Sequence, residues 1–213
     1  MKYFLFSLFT ACVLFSCKNN TAGSNTAGTP ASDTSHATDT TASQADTASA
    51  PQPFFPIADF IGGQMRYIDS LQLPLTKTVI VNNKSTLSSL PDAEFRALAA
   101  QFREPDISSP ALSPFYKESS YSDRSISSIV FTYTATRPGL EIQKADVIIK
   151  QDASNNDKVR TIYIEKQQQS GDTLISRKLY WKVNRNFQVI TEKRVNKTFL
   201  PVEQVKVVWD PSE

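Results

Sequence analysis

Residues 128–135 read Ser-Ile-Val-Phe-Thr-Tyr-Thr-Ala, and their large apolar side chains alternate along the chain. Ile129, Phe131 and Tyr133 fall on one side of an extended backbone, as expected for a β-strand with one buried face. The same alternation returns in the rest of the chain, so a sheet is predicted to occupy the second half. The later alternating segments lie at 144–150, 161–165, 175–183, 187–195 and 204–209.

Short turn signals separate these strands. They include Arg137-Pro138-Gly139, Ser170-Gly171-Asp172 and Asn184-Arg185-Asn186. Glycine, proline and asparagine are typical of tight turns. Short connections favour antiparallel neighbours, so we expect a meander with one apolar face to cover.

Two helices are expected before this sheet. The sequence Ser89-Leu-Pro-Asp indicates a second helix with Ser89 as its N-cap. Residues 75–81 predict an additional first strand, whereas 105–125, with three prolines and many serines, predict a long loop. Apolar residues at helical spacing predict the first helix, namely Ile57, Phe60, Ile61, Met65, Ile68 and Leu71.

These segments predict one α+β domain over residues 54–213. Its two N-terminal helices are expected to pack on a curved antiparallel meander sheet of six to seven strands.

The first part of the chain, 1–17, has the features of a lipoprotein signal peptide. Lys2 precedes an uncharged, mostly apolar run that is shorter than the roughly 20 residues needed to cross a bilayer. The run ends in Leu14-Phe15-Ser16-Cys17, which resembles the lipobox of bacterial lipoproteins. This resemblance implies that Cys17 is acylated, becomes the mature N-terminus and anchors the protein in a membrane. An ordinary signal peptide with a coincidental cysteine is the alternative.

Residues 18–53 are rich in Thr, Ala, Ser, Asp and Asn, and we expect them to form a disordered tether. A flexible coil of this length has an end-to-end distance of roughly 30–36 Å. Thr40 and Thr47 each follow an aspartate in tripeptides that resemble the O-glycosylation motif of exported Bacteroidota proteins, which implies glycosylation there. Lys18-Asn19-Asn20 lacks the acidic cluster of surface-exported lipoproteins. An outer-membrane location facing the periplasm is therefore favoured over the cell surface.

The domain also resembles two families in outline. Phe54-Phe55-Pro56 and Trp209-Asp210 are similar to the entry and closing segments of Bacteroidota-type lipoproteins, a resemblance that implies no activity. A bent sheet around helices resembles the half-barrel of lipoprotein carriers, which implies an acyl or other apolar ligand inside the sheet.

Composition excludes several kinds of site from the domain. The chain contains one histidine, His36, and two cysteines, Cys12 and Cys17, all before residue 54. Serine–histidine, cysteine–histidine, zinc–histidine and thiolate metal sites therefore cannot form within the domain. We expect no catalytic residues, no metal and no cofactor, so the protein is predicted not to be an enzyme. The formal net charge is +2 with interspersed signs, and no nucleic-acid surface is expected.

Tyr163 and Tyr180 are the candidate binding residues, since they alternate onto the strand face opposite the predicted core. The alternative is that they shield a second core layer or the long loop. The sequence thus predicts a membrane-anchored, non-catalytic binding or scaffolding module with an envelope protein as its partner. A carrier or sensor of an acyl or other apolar ligand, held in a concave sheet, is the alternative function.

Overall fold

The fold, taken from a computed structural model, is described for residues 53–151 and 158–210. These residues form two α-helices and a ten-stranded antiparallel sheet, so the α+β class is confirmed. The elements are α1 Ile57–Leu71, β1 Thr76–Val81, β2 Lys84–Ser89, α2 Asp92–Ala100, a 3₁₀ turn Ser113–Phe115, β3 Tyr116–Asp123, β4 Ser128–Ala135, β5 Ile142–Lys150, β6 Lys158–Ser170, β7 Thr173–Lys182, β8 Asn186–Val195, β9 Thr198–Phe199 and β10 Glu203–Val208.

Six consecutive strands, β3 to β8, form a meander. Five of them, β4 to β8, were expected, whereas β3 lies in the segment predicted to be a loop. The sheet then continues with β10, β1 and β2, so its order is β2-β1-β10-β8-β7-β6-β5-β4-β3, while short β9 pairs with β8. The N-terminal hairpin β1–β2 thus joins the C-terminal strand β10, with Val79 opposite Val205.

The predicted count of six to seven strands is wrong, because it omits both edge strands of the sheet and the two-residue strand β9. β2 and β3 are the edge strands, and nearly all of their residues are exposed. An edge strand with polar side chains on both faces shows no alternation of hydrophobicity, so the pattern cannot reveal it. For the same reason, the segment 105–125 contains β3 rather than only the predicted loop.

The start of α2 also differs from the prediction. Ser89 is the last residue of β2, and the helix begins at Asp92 after Pro91 with no side-chain cap. The predicted strand at 75–81 is confirmed as β1, whose hairpin turn places Asn82 and Asn83 at φ 50° and 60°. Asparagine tolerates this left-handed conformation, which two-residue hairpin turns require.

The sheet has two faces of different character, fixed by the register of the strands. The inner face carries apolar residues in rows across the sheet, such as Tyr133, Ala145, Ile164, Leu179, Val189 and Val205. The outer face carries mixed residues in rows such as Thr132, Asp146, Tyr163, Tyr180, Gln188 and Lys206.

Both helices contribute to the core on the inner face. From α1, Ile57, Ile61 and Ile68 join the buried cluster, together with Phe95 and Ala99 from α2. The Phe95 ring lies 6.0 Å from the ring of Phe187 on β8. The helices therefore cover the apolar inner face of the sheet, as the alternating sequence pattern predicts.

Among the residues described, no helix has both the length and the apolar character needed to span a membrane.

Candidate functional site

The two predicted binding residues lie side by side on the outer face. Tyr163 on β6 is the direct partner of Tyr180 on β7, and their ring centres are 4.8 Å apart with planes inclined at 51°. Tyr180 exposes 48 % of its surface, whereas Tyr163 is half-buried. We call this pair the tyrosine platform.

A hydrogen bond holds one ring of the platform in place. The hydroxyl of Tyr163 donates to Glu165 Oε1 at 2.6 Å. Burial, together with this bond, raises the pKa of Tyr163 above its usual value, so the hydroxyl stays protonated and remains a donor at neutral pH. The Tyr163 side chain is therefore restrained in the free protein, which reduces the entropy lost on binding.

Charged groups border the platform on neighbouring strands. Lys144 Nζ lies 2.8 Å from Asp146 Oδ2, and Thr132 donates from its hydroxyl to Asp146 Oδ1 at 2.7 Å. The Asp146 carboxylate raises the pKa of Lys144 and keeps it cationic. Lys178 lies near Glu192 on the other side, at 3.7 Å. An apolar centre with a polar rim is the general anatomy of a protein–protein interface.

On the inner face of the described sheet, aromatic rings fill the space between the strands and the segment after α2. Trp181 stacks on Phe187 at 5.2 Å, and Phe102 meets Trp181 edge-on at 5.2 Å. The cavity between Ile57, Phe102 and the sheet measures about 10 Å³. This is about the space of one water molecule and far below the several hundred Å³ of a ligand pocket. This cavity is therefore too small to hold an acyl chain.

A polar cavity that was not predicted from the sequence lies at the rim of the helices. It has a volume of about 680 Å³ and is lined by residues of α2, Glu141, Lys166 and Arg177. Lys166 exposes only 5 % of its surface, and its ammonium donates to the Glu104 carbonyl and to Glu141 Oε1. Burial lowers the pKa of Lys166, whereas the Glu141 carboxylate acts in the opposite direction.

The inward position of Lys166 was detectable from the sequence. It follows Ile162 and Ile164 at a spacing of two, which places it on the inner face of β6. Its contacts join the segment after α2 to the sheet, so Lys166 stabilises the docking of that segment.

The remaining predicted residues fall outside the described part of the chain. Cys17, Thr40 and Thr47 all precede residue 53, the first residue described. Within residues 53–151 and 158–210, no three side chains of the His, Cys, Asp and Glu types come together in a way that could hold a metal ion.

Comparison with known proteins identifies no relative. No family model matches the chain, and neither the curated proteins nor the solved structures give a significant match. Function is therefore inferred from the residues themselves.

Proposed function

We propose that this protein is a lipid-anchored, non-catalytic binding module of a bacterial envelope, and that the tyrosine platform is its contact with a protein partner. The lipobox-like Leu14-Phe15-Ser16-Cys17 supports the anchor. The outer membrane, with the domain facing the periplasm, is the proposed location.

The observation that carries the partner-binding role is the exposure of Tyr180. Tyr180 lies in the middle of a large sheet and presents its ring to solvent, although the ring already contacts Tyr163. Aromatic residues are enriched among the hot spots of protein interfaces because they bury a large area and lose little rotamer entropy. The Lys144–Asp146 pair beside them would supply the polar rim.

An acyl carrier is not proposed, because aromatic side chains fill the inner face of the sheet. Residues 54–213 contain neither histidine nor cysteine, so an enzyme that uses either residue in catalysis is not proposed.

The anchor is tested by metabolic labelling with a palmitate analogue. The wild-type protein should incorporate the label and Cys17→Ser should not. Cys12→Ser is the matched control and should be labelled like wild type, because Cys12 lies in the segment that would be removed. Labelling of Cys17→Ser would refute the anchor.

The platform is tested by replacing Tyr180 with a photo-crosslinking phenylalanine analogue in living cells. A discrete crosslinked product is expected at position 180 and should disappear when Tyr163 is also changed to Ala. Tyr121 is the control position, since it exposes 57 % on the edge strand β3 of the same face. Equal products from both positions, or none from position 180, would refute the proposal.

A further inference from the structure

Residues 199–202, Phe-Leu-Pro-Val, form an exposed apolar segment that begins with the last residue of β9 and ends just before β10. Phe199 exposes 72 % of its surface, Leu200 40 % and Val202 48 %, and Pro201 is also exposed. Single exposed apolar residues are ordinary in soluble proteins, but contiguous ones mark a surface that contacts something else. We call this segment the 199–202 bulge.

The backbone holds the bulge in place. Phe199 pairs with Arg194 of β8, and Glu203 pairs with Thr191. Between these two pairs, residues 200–202 face only residues 192–193, so one extra residue is inserted into the strand, as in a β-bulge. The Leu200 amide donates to the Lys193 carbonyl at 2.8 Å. The backbone is thus paired at both ends of the bulge.

Basic side chains surround the bulge. Lys193, Arg194 and Lys197 are all exposed on β8 and the turn that follows it. The Arg194 guanidinium carbon lies 5.8 Å from the centre of the Phe199 ring. Three acids lie nearby: Glu192, which is 3.7 Å from Lys178; Glu203, which begins β10; and Asp172, whose carbonyl accepts from the Asn196 amide at 3.1 Å. The four cations Lys178, Lys193, Arg194 and Lys197 therefore exceed these acids by one positive charge.

We infer that the 199–202 bulge docks on a lipid bilayer surface that carries anionic headgroups. Aromatic and aliphatic side chains enter the bilayer interface, while lysine and arginine stay at the level of the headgroups. Each cation near an anionic surface contributes about 1 kcal/mol. Charge complementarity thus favours a lipid surface as the occupant.

This inference rests on the proposed lipid anchor, which would strengthen the binding of the bulge to the bilayer. Three apolar side chains bind a bilayer weakly on their own, whereas a tether from Cys17 makes the contact intramolecular and raises its effective concentration. Docking would also fix the position of the tyrosine platform relative to the membrane surface. Tyr180 pairs with Gln188, which is six residues from Arg194 along β8, so the platform would lie about 20 Å along the strand from the bulge.

The test uses the full acylated protein, reconstituted into vesicles of phosphatidylethanolamine and phosphatidylglycerol that contain brominated lipid. Phe199→Trp places a fluorophore in the bulge, and bromine quenches only a tryptophan that reaches the bilayer. Trp181 and Trp209 are buried and give the same background in every variant. Strong quenching is expected for Phe199→Trp.

Tyr121→Trp is the matched control. Through successive strand pairs, Tyr121 lies in the row of Asn186, eight residues or about 26 Å along β8 from Arg194, and on the opposite edge strand. It should remain unquenched. Adding Arg194→Gln to Phe199→Trp should lower the ratio of docked to undocked protein about five-fold. Replacing phosphatidylglycerol with phosphatidylcholine should weaken docking further.

Each outcome is decisive for one of the two proposals. Equal, weak quenching of Phe199→Trp and Tyr121→Trp on protein whose mass shows acylation would overturn docking and leave the anchor intact. If the protein mass shows no lipid, the proposed anchor is refuted. Docking of the bulge is then measured as quenching of Phe199→Trp at high vesicle concentration. Absence of quenching there as well would overturn the inference and favour a protein as the occupant of the bulge.

Discussion

Trp181 and Tyr180 are neighbours in β7 that point to opposite faces of the sheet, and replacing each with alanine tests the central feature of the fold. Trp181 is fully buried against Phe102, Phe187 and Trp209, with ring centres 5.2–5.4 Å away. Tyr180 exposes 48 % of its surface and touches Tyr163. Trp181→Ala removes a buried ring from the core, whereas Tyr180→Ala removes an exposed ring.

The expected magnitudes differ accordingly. Trp181→Ala should lower the free energy of unfolding by about 3–5 kcal/mol, because it removes a buried ring and leaves a cavity that rigid neighbours cannot fill. For a domain of this size, 1 kcal/mol corresponds to about 3 °C in Tm, so Tm should fall by about 9–15 °C. Tyr180→Ala should lower the free energy of unfolding by only about 1 kcal/mol, mainly because the aromatic contact with Tyr163 is lost.

Far-UV circular dichroism during thermal and urea unfolding measures both variants without depending on tryptophan fluorescence. The urea midpoint should shift strongly for Trp181→Ala and little for Tyr180→Ala. A loss below about 1 kcal/mol for Trp181→Ala would show that the inner face is open rather than packed. Equal losses for the two variants would contradict the assignment of the faces.

Two further predictions concern the contributions of Tyr133 and Glu141 to the stability of the folded domain. Burial raises the pKa of Tyr133 to about 12, so the fold favours its protonated form. As pH rises from 10 to 12, Tyr133 should lower the free energy of unfolding by about 2–3 kcal/mol, in addition to the losses from Tyr116 and Tyr163, whose pKa values burial also raises. Tyr133→Phe should remove only the Tyr133 part of this decline in alkaline urea titrations, and at neutral pH it should cost about 1–2 kcal/mol, because the Phe55 amide loses its acceptor at 3.0 Å. Glu141→Gln should cost about 1–2 kcal/mol at pH 7, since the buried Lys166 ammonium keeps only the Glu104 carbonyl, whereas the control Glu192→Gln should cost less than about 0.5 kcal/mol because its pair with Lys178 is exposed. A Glu192→Gln loss as large as that of Glu141→Gln, or an alkaline decline unchanged in Tyr133→Phe, would contradict the respective prediction.

The central strands were predictable because their large apolar residues alternate and mark the inner face, although β4 also buries Val130, 4 % exposed, on the outer face. Residues 128–135 alternate in polarity, and the structure buries Tyr133 while it leaves Thr134 exposed. The same alternation predicted that Tyr163 and Tyr180 share the face opposite the core, where they form a direct cross-strand pair. The apolar spacing of α1 was equally informative, since Ile57, Ile61 and Ile68 are all buried.

The edges of the sheet were not predictable in this way. Lys84–Ser89 contains one large apolar residue, Leu87, which exposes 70 % of its surface. A strand that buries neither face is formed only because its backbone pairs with β1. The spacing of Lys166 after Ile162 and Ile164 indicates its inward position, but the partner that balances its charge, Glu141, lies on another segment and is found only from the tertiary structure.

The amino-acid sequence by itself determined the α+β class, the inward and outward faces of the central strands, and the absence of histidine and cysteine from residues 54–213, because periodicity and composition are local properties of the chain. Tertiary structure alone decided that β1 pairs with β10, that Phe102 closes the core over Trp181, and that residues 199–202 bulge outward beside Arg194. Each of these depends on contacts between residues distant in sequence or on strand register. Such contacts depend on which surfaces fit together after folding, and no short stretch of sequence records that.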